Sequence, residues 1–251
     1  MNEGCFQINE SGVNVRCRAY IAGGADAAVI YCHGFGGHKD NRAAKRFADR
    51  VIAKNKGVAV ITFDLPCHGD DVRKLLSLDD CDKYIAAVIA GVKKRLDPKK
   101  LYGYSTSFGG YLFLKYIRDR GMPFGKVALR CPAVDMYGTL MRLIPEGDRA
   151  RLEKGKPIEV GFDRFVKFDK RFTGSLLANP VTDADFTPYA KDMLVVGADR
   201  DEIVDPETVA ALALKNGTAF TVIHGADHRF TDPEHMDAAI KEIAGFFGLK
   251  A

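Results

Sequence analysis

The amino-acid sequence of 251 residues excludes several classes of protein by what it lacks. No apolar run approaches the length of a bilayer crossing, so no membrane span is expected. The start, Met1-Asn-Glu-Gly-Cys-Phe6, has neither the basic nor the apolar region of an export signal, which makes the cytoplasm the default expectation. The net charge of +4 comes from interspersed charges, and no Lys/Arg block is long enough to grip nucleic acid. Six cysteines, at 5, 17, 32, 67, 81 and 131, never fall at C-x-x-C spacing. In a chain without an export signal they read as free thiols rather than disulfides or zinc ligands. There is no G-x-G-x-x-G fingerprint for a dinucleotide, no internal repeat and no low-complexity segment. Neither a cofactor nor a metal is expected. What remains is an ordinary globular composition, 47% hydrophobic and 28% charged. The length suits one α/β domain with an insertion, or two small domains.

Taken in order, residues 6–20 alternate weakly and read as one or two N-terminal strands, antiparallel if two. Ala27–Cys32 and Val58–Phe63 are continuous apolar runs, as expected of strands buried on both faces. Between them Ala44, Phe47, Ala48, Val51 and Ile52 share one helical face, and Tyr84, Ile85, Val88, Ile89 and Val92 mark a second helix. Further strands are expected at 127–131, 193–196 and 219–223, with helices near 206–216 and around Met236, Ile240, Ile243 and Phe247. Repeated strand–helix units predict a mostly parallel sheet covered by helices on both faces. Ligands then gather at the carboxyl ends of the strands. From 136 to 187 the alternation stops, in a stretch too long for a simple connection. It is read as a cap inserted into a core formed by 1–135 and 188–251. Its repeated phenylalanines, Phe162, Phe165, Phe168 and Phe172, suit an apolar or aromatic acyl group and a structural mini-core about equally.

The organising stretch is Leu101-Tyr-Gly-Tyr-Ser-Thr-Ser-Phe-Gly-Gly110, a short apolar run ending in small residues before the apolar helix Tyr111–Ile117. Strand, tight turn and helix together push a serine out of the backbone as a nucleophile. Ser105 and Ser107 each half-satisfy G-x-S-x-G. Ser107 is preferred because Gly109-Gly110 lets the following helix pack close to the strand. A polar helix cap is the bland reading of the same residues. A serine hydroxyl needs a base, and the base needs a group that holds its tautomer. Of six histidines, His228 follows the last expected strand, whereas His224 sits at that strand's end and His235 in the last helix. His33 and His68 also follow strands but precede the serine turn. The acid is sought in Gly197–Asp205, where Asp201 is chosen first and Asp199 second, with Asp135 a weaker third. The oxyanion is assigned to the backbone N–H groups of Phe108, directly after the serine, and Phe35, within His33-Gly-Phe-Gly-Gly37.

Five of these segments, in this order, resemble the α/β-hydrolase superfamily over essentially the whole chain. His33–Gly37 matches its oxyanion loop, and Asp64-Leu-Pro-Cys-His-Gly69 resembles its D-x-x-G-H-G strand end, with Cys67 in place of the usual glycine. Ser105–Gly109 resembles the nucleophile elbow, Gly197–Val204 the acid loop and Gly225–His228 the histidine loop. Among subfamilies, the compact cap and the H-G-F-G-G loop look most like bacterial cinnamoyl/feruloyl esterases and monoacylglycerol lipases. The resemblance implies a serine esterase acting on a small-molecule ester through Ser107, His228 and Asp201. The same triad would serve an aminopeptidase or acyl-thioesterase, and a non-catalytic binding module is the third reading.

Overall fold

The computed structural model describes residues 2–71, 73–161 and 164–251, so Phe162, one of the four phenylalanines noted in 136–187, lies outside the described residues. The chain opens with β1 (Asn2–Glu10) and β2 (Val13–Ile21). They pair antiparallel from Asn2↔Ile21 to Glu10↔Val13 across the two-residue turn Ser11-Gly12. Both turn residues have positive φ, 51° and 77°, as the twist-matched hairpin turn requires. The weak N-terminal alternation therefore belongs to two strands. Then come β3 (Ala27–Cys32), α1 (Arg42–Lys54), β4 (Val58–Phe63), α2 (Leu78–Leu96), β5 (Lys100–Thr106), α3 (Phe108–Arg120) and β6 (Lys126–Arg130).

After β6 the chain leaves the sheet. It forms α4 (Met136–Leu143), α5 (Glu146–Glu153), the antiparallel pair β7 (Ile158–Gly161) and β8 (Phe165–Phe168), and α6 (Lys170–Leu177). A 3₁₀ turn at Thr187–Asp192 leads back to β9 (Met193–Ala198), followed by α7 (Pro206–Asn216), β10 (Ala219–Ile223) and α8 (Pro233–Phe247). No helix among the described residues is long and apolar enough to cross a membrane.

The main sheet runs β1-β2-β4-β3-β5-β6-β9-β10. From β4 to β10 every pairing is parallel, and only the β1–β2 hairpin and its junction with β4 are antiparallel. β3 and β4 are buried at every position, which is why both read as unbroken apolar runs. Their side chains alternate between two cores. Ala28, Ile30 and Cys32 join one with α2 and α3, while Ala27, Val29 and Tyr31 join the other with α1 and α8.

The phenylalanines of the segment after β6 divide. Phe165 is 66% exposed. Phe168 and Phe172 are fully buried and pack edge-on against Phe35 and Phe108, with ring centres 6.0 and 6.1 Å apart. They form a mini-core beneath the inserted segment, and neither borders the cavity described below. The Leu76 amide donates to the Lys167 carbonyl at 2.8 Å, tying β8 to the loop before α2.

Candidate active site

Ser107 stands between β5 and α3 with φ 51° and ψ −118°, a conformation rarely adopted by non-glycine residues. The turn is held from three sides: the Ser107 amide donates to the Arg130 carbonyl at 3.1 Å, and its carbonyl accepts from Gly110 and Ala133. Gly109 has no substitute here, because a Cβ would sit 2.5 Å from the Cys32 carbonyl oxygen and 2.6 Å from that of His33. The strained turn and the close helix approach thus fall at Ser107. Ser105 lies fully buried within β5, its Oγ without a hydrogen-bond partner.

The loop after β3 wraps the serine. Gly37 N–H donates to the Gly34 carbonyl at 3.0 Å, closing a turn whose central residues are Phe35 and Gly36. Gly36 takes φ 74°, the left-handed position of a type II turn. A Cβ on Gly34 would lie 3.1 Å from Ser107 Cβ and 3.7 Å from its Oγ, so the turn abuts the hydroxyl. Phe108, the first residue of α3, carries one of the amides that a helix leaves unpaired at its start.

His33 braces this turn rather than acting at the serine. Its Nε2 accepts from the Leu65 amide at 3.2 Å, which places the ring proton on Nδ1, 2.8 Å from the Gly34 carbonyl that it donates to. Burial pushes its pKa well below the ordinary histidine value, so the ring stays neutral. His68 is likewise buried, with Nδ1 2.7 Å from the Pro66 carbonyl and its pKa lowered by burial to about 4.

His228 follows β10, and its Nδ1 lies 2.7 Å from Asp201 Oδ2. The side chains are 12% and 2% exposed. The other Asp201 oxygen accepts from the amides of Ile203 and Val204 at 2.9 and 2.8 Å. Burial pushes the Asp201 pKa up, but the His228 bond and charge and the two amides outweigh it, leaving it below the usual carboxylate value. Of the other candidate acids, Asp199 makes an exposed pair with His224 at 2.9 Å. Asp135 caps α4 through the Gly138 amide.

Ser107 and His228 border one cavity of about 250 Å³, together with Phe35 and residues of α4. The His228–Asp201 hydrogen bond is formed, whereas no hydrogen bond joins Ser107 Oγ to His228 among the described residues. Such bonds are often long without substrate and tighten around it.

Cys131, directly after β6, was not foreseen in the site. Its thiol and the Asp201 and His228 donor atoms lie within 4.8 Å of one another, the one cluster of metal-ligand type among the described residues. Burial pushes its pKa well up and the Asp201 charge adds to this, which opposes the thiolate a metal needs. Cys32 and Cys67 are also held protonated by burial, the latter pushed up to about 12.

Solved structures with the same fold cover nearly the whole chain. Est1E from Butyrivibrio proteoclasticus, also solved with ferulic acid bound, is 20% identical over 98% of this chain and 99% of its own, with TM-score 0.73. An Agrobacterium vitis protein reaches TM-score 0.75 at 18% identity, covering 98% of both chains. The esterase domain of a Rhodothermus marinus protein reaches 0.71 at 17% over the same shares. No curated protein sequence matches the chain. Residues 29–244 fit the model of the alpha/beta hydrolase family, a span from β3 into α8 that takes in every strand and loop building this cavity, and the chain belongs to that family.

Proposed function

We propose that the protein is a serine hydrolase that cleaves a carboxylic ester through Ser107, His228 and Asp201. The observation that carries this reading is that His228, held by Asp201 behind it, borders the same cavity as a serine at φ 51°. Ser107 Oγ attacks the carbonyl carbon as its proton passes to His228 Nε2. The carbonyl π electrons move onto oxygen, where the Phe35 and Phe108 amides stabilise the charge. The C–O bond to the alcohol then breaks, and the alcohol leaves with the proton from His228. Water attacks the acyl-enzyme, His228 accepts its proton, and the free acid departs with Ser107 restored. Asp201 holds the Nδ1–H tautomer throughout and stabilises the imidazolium. Residues 136–187 act as a cap, with Met136, Leu140 and Leu143 of α4 offering an apolar wall.

An amide or thioester carbonyl would meet the same groups. The ester is preferred because esterase structures stand among the fold's neighbours, one of them solved with ferulic acid. The test is turnover of a p-nitrophenyl ester beside an aminoacyl p-nitroanilide and an acyl thioester. Ester turnover should dominate and fall by about 10³-fold or more in Ser107→Ala, with Ser105→Ala retaining most of it. Loss in Ser105→Ala alone would overturn the assignment.

A further inference from the structure

Two arginines border the cavity, Arg130 and Arg229, and the chemistry above uses neither; Arg130 is the one built into the sheet. Arg130 ends β6 and is 5% exposed. Thr106 pairs with it across β5–β6, and Tyr104 pairs with Tyr31 across β5–β3. Strand alternation puts all four side chains on the face of the sheet that packs on α1 and α8. Tyr31, Thr106 and Arg130 border the cavity with Ser107 and His228.

The hydrogen bonding of this wall is incomplete. The Arg130 guanidinium lies over the Phe230 ring at 4.6 Å, and Nη1 reaches the Met236 sulfur at 3.4 Å, a weak acceptor. Nε is enclosed with no hydrogen-bond partner, and so is the Tyr104 hydroxyl. The Tyr31 and Thr106 hydroxyls approach each other only to 3.4 Å. Two other buried cations among the described residues follow the usual rule. Lys39 sits against Asp40, Asp64 and Asp70, and Lys115 against Asp82 and Asp119. Arg130 makes no ion pair among the described residues; the Asp201 carboxylate is near enough only to favour its charge from a distance. A guanidinium stays charged when buried, and buried charges are otherwise paired.

The two arms of an ester diverge from its carbonyl carbon, and the cavity offers them unlike walls. One is the apolar α4 side; the other is the Arg130 side of the sheet. We propose that Arg130, with the Tyr31 and Thr106 hydroxyls, forms an anion subsite, and that the substrate is an ester with one arm ending in a carboxylate. This rests on the hydrolase reading for its chemistry but not for its binding. Arg130 acts by binding and placing that arm; bond cleavage belongs to Ser107 and His228.

The experiment compares kcat/KM for p-nitrophenyl hemiglutarate with the neutral p-nitrophenyl valerate. A second pair, 4-butyryloxybenzoate and phenyl butyrate, carries the charge on the alcohol arm. One charged ester should exceed its neutral partner, which also identifies the arm. Arg130→Met should cut that preference by at least about 30-fold, with Arg130→Lys intermediate. Wild-type protein needs no variant to be informative: glutarate should inhibit neutral-ester turnover competitively, and glutaramide should not. Calorimetry of glutarate with Ser107→Ala protein separates the two readings. Arg130-dependent binding without turnover of any ester keeps the subsite and sinks the hydrolase. An arginine serving only to hold Phe230 and Met236 would give no charged-ester preference and no glutarate inhibition or binding, and that result overturns the proposal.

Discussion

Asp201→Asn isolates the role of the acid with little change in shape. The carboxylate accepts three hydrogen bonds, from His228 Nδ1 at 2.7 Å and from the Ile203 and Val204 amides at 2.9 and 2.8 Å. An asparagine carbonyl can still accept from both amides, which turns its NH₂ toward His228. The imidazole must then accept at Nδ1 and carry its proton on Nε2, the atom that receives the Ser107 proton in the proposed mechanism. The base is disabled by tautomer rather than by displacement. Loss of this kind is worth about 10³- to 10⁴-fold in kcat, or about 4 to 5.5 kcal/mol of barrier. Stability should fall by only about 1 kcal/mol, since the amides stay satisfied. For a domain this size that lowers Tm by about 2–4 °C. The assay is p-nitrophenyl ester turnover beside thermal unfolding, with Asp199→Asn as the comparison. Asp199 bonds the exposed His224 and the Gly225 amide, so its variant should stay within about twofold of wild type. If Asp201→Asn kept activity within tenfold while Asp199→Asn lost it, the tautomer reasoning would be wrong.

Three further outcomes follow from the same geometry. Cys67 takes φ 64° where the family pattern has glycine, so Cys67→Gly should relieve about 1 kcal/mol of left-handed strain and raise Tm by about 2–4 °C in calorimetry. His33→Ala removes the brace on the Phe35 turn, and steady-state kinetics should show kcat falling by about 10²-fold with KM less affected. The depressed Asp201 pKa contributes stability that is present above the ordinary carboxylate value of about 3.9 and is lost as pH falls through its lower folded value. The Tm gap between wild type and Asp201→Asn should therefore narrow below about pH 4, and a gap that widens there would contradict the sign.

The parallel core was legible because burial on both faces leaves no polar position: Ala27–Cys32 and Val58–Phe63 announce themselves without periodicity. β1 is mostly exposed at the sheet edge and carries only a faint pattern. Loops directly after parallel strands meet at one edge, which is how the chain order brings Ser107 and His228 to one cavity and Asp201 to His228. The segment after β6 was legible only as a break, since its helices of eight residues and four-residue strands are too short for a period to register. Asp135 reads as a candidate acid because a helix cap and an acid loop use the same residue type; in the structure it caps α4 by accepting from the Gly138 amide. The His33 brace depends on the Leu65 amide, 32 residues away, and no local pattern encodes that meeting. Arg130 did leave a signal, a charge inside the apolar run Val127–Cys131, but strand ends commonly carry charges, and only the absence of an ion pair among the described residues sets it apart.

The central claim is that one serine is activated by His228 and Asp201. Treatment with a fluorophosphonate, followed by intact mass and peptide mapping, tests it most directly. The account predicts a single adduct on Ser107, abolished in Ser107→Ala and slowed by about 10³-fold or more in Asp201→Asn. No adduct, or one on Ser105 or any other residue, would contradict it.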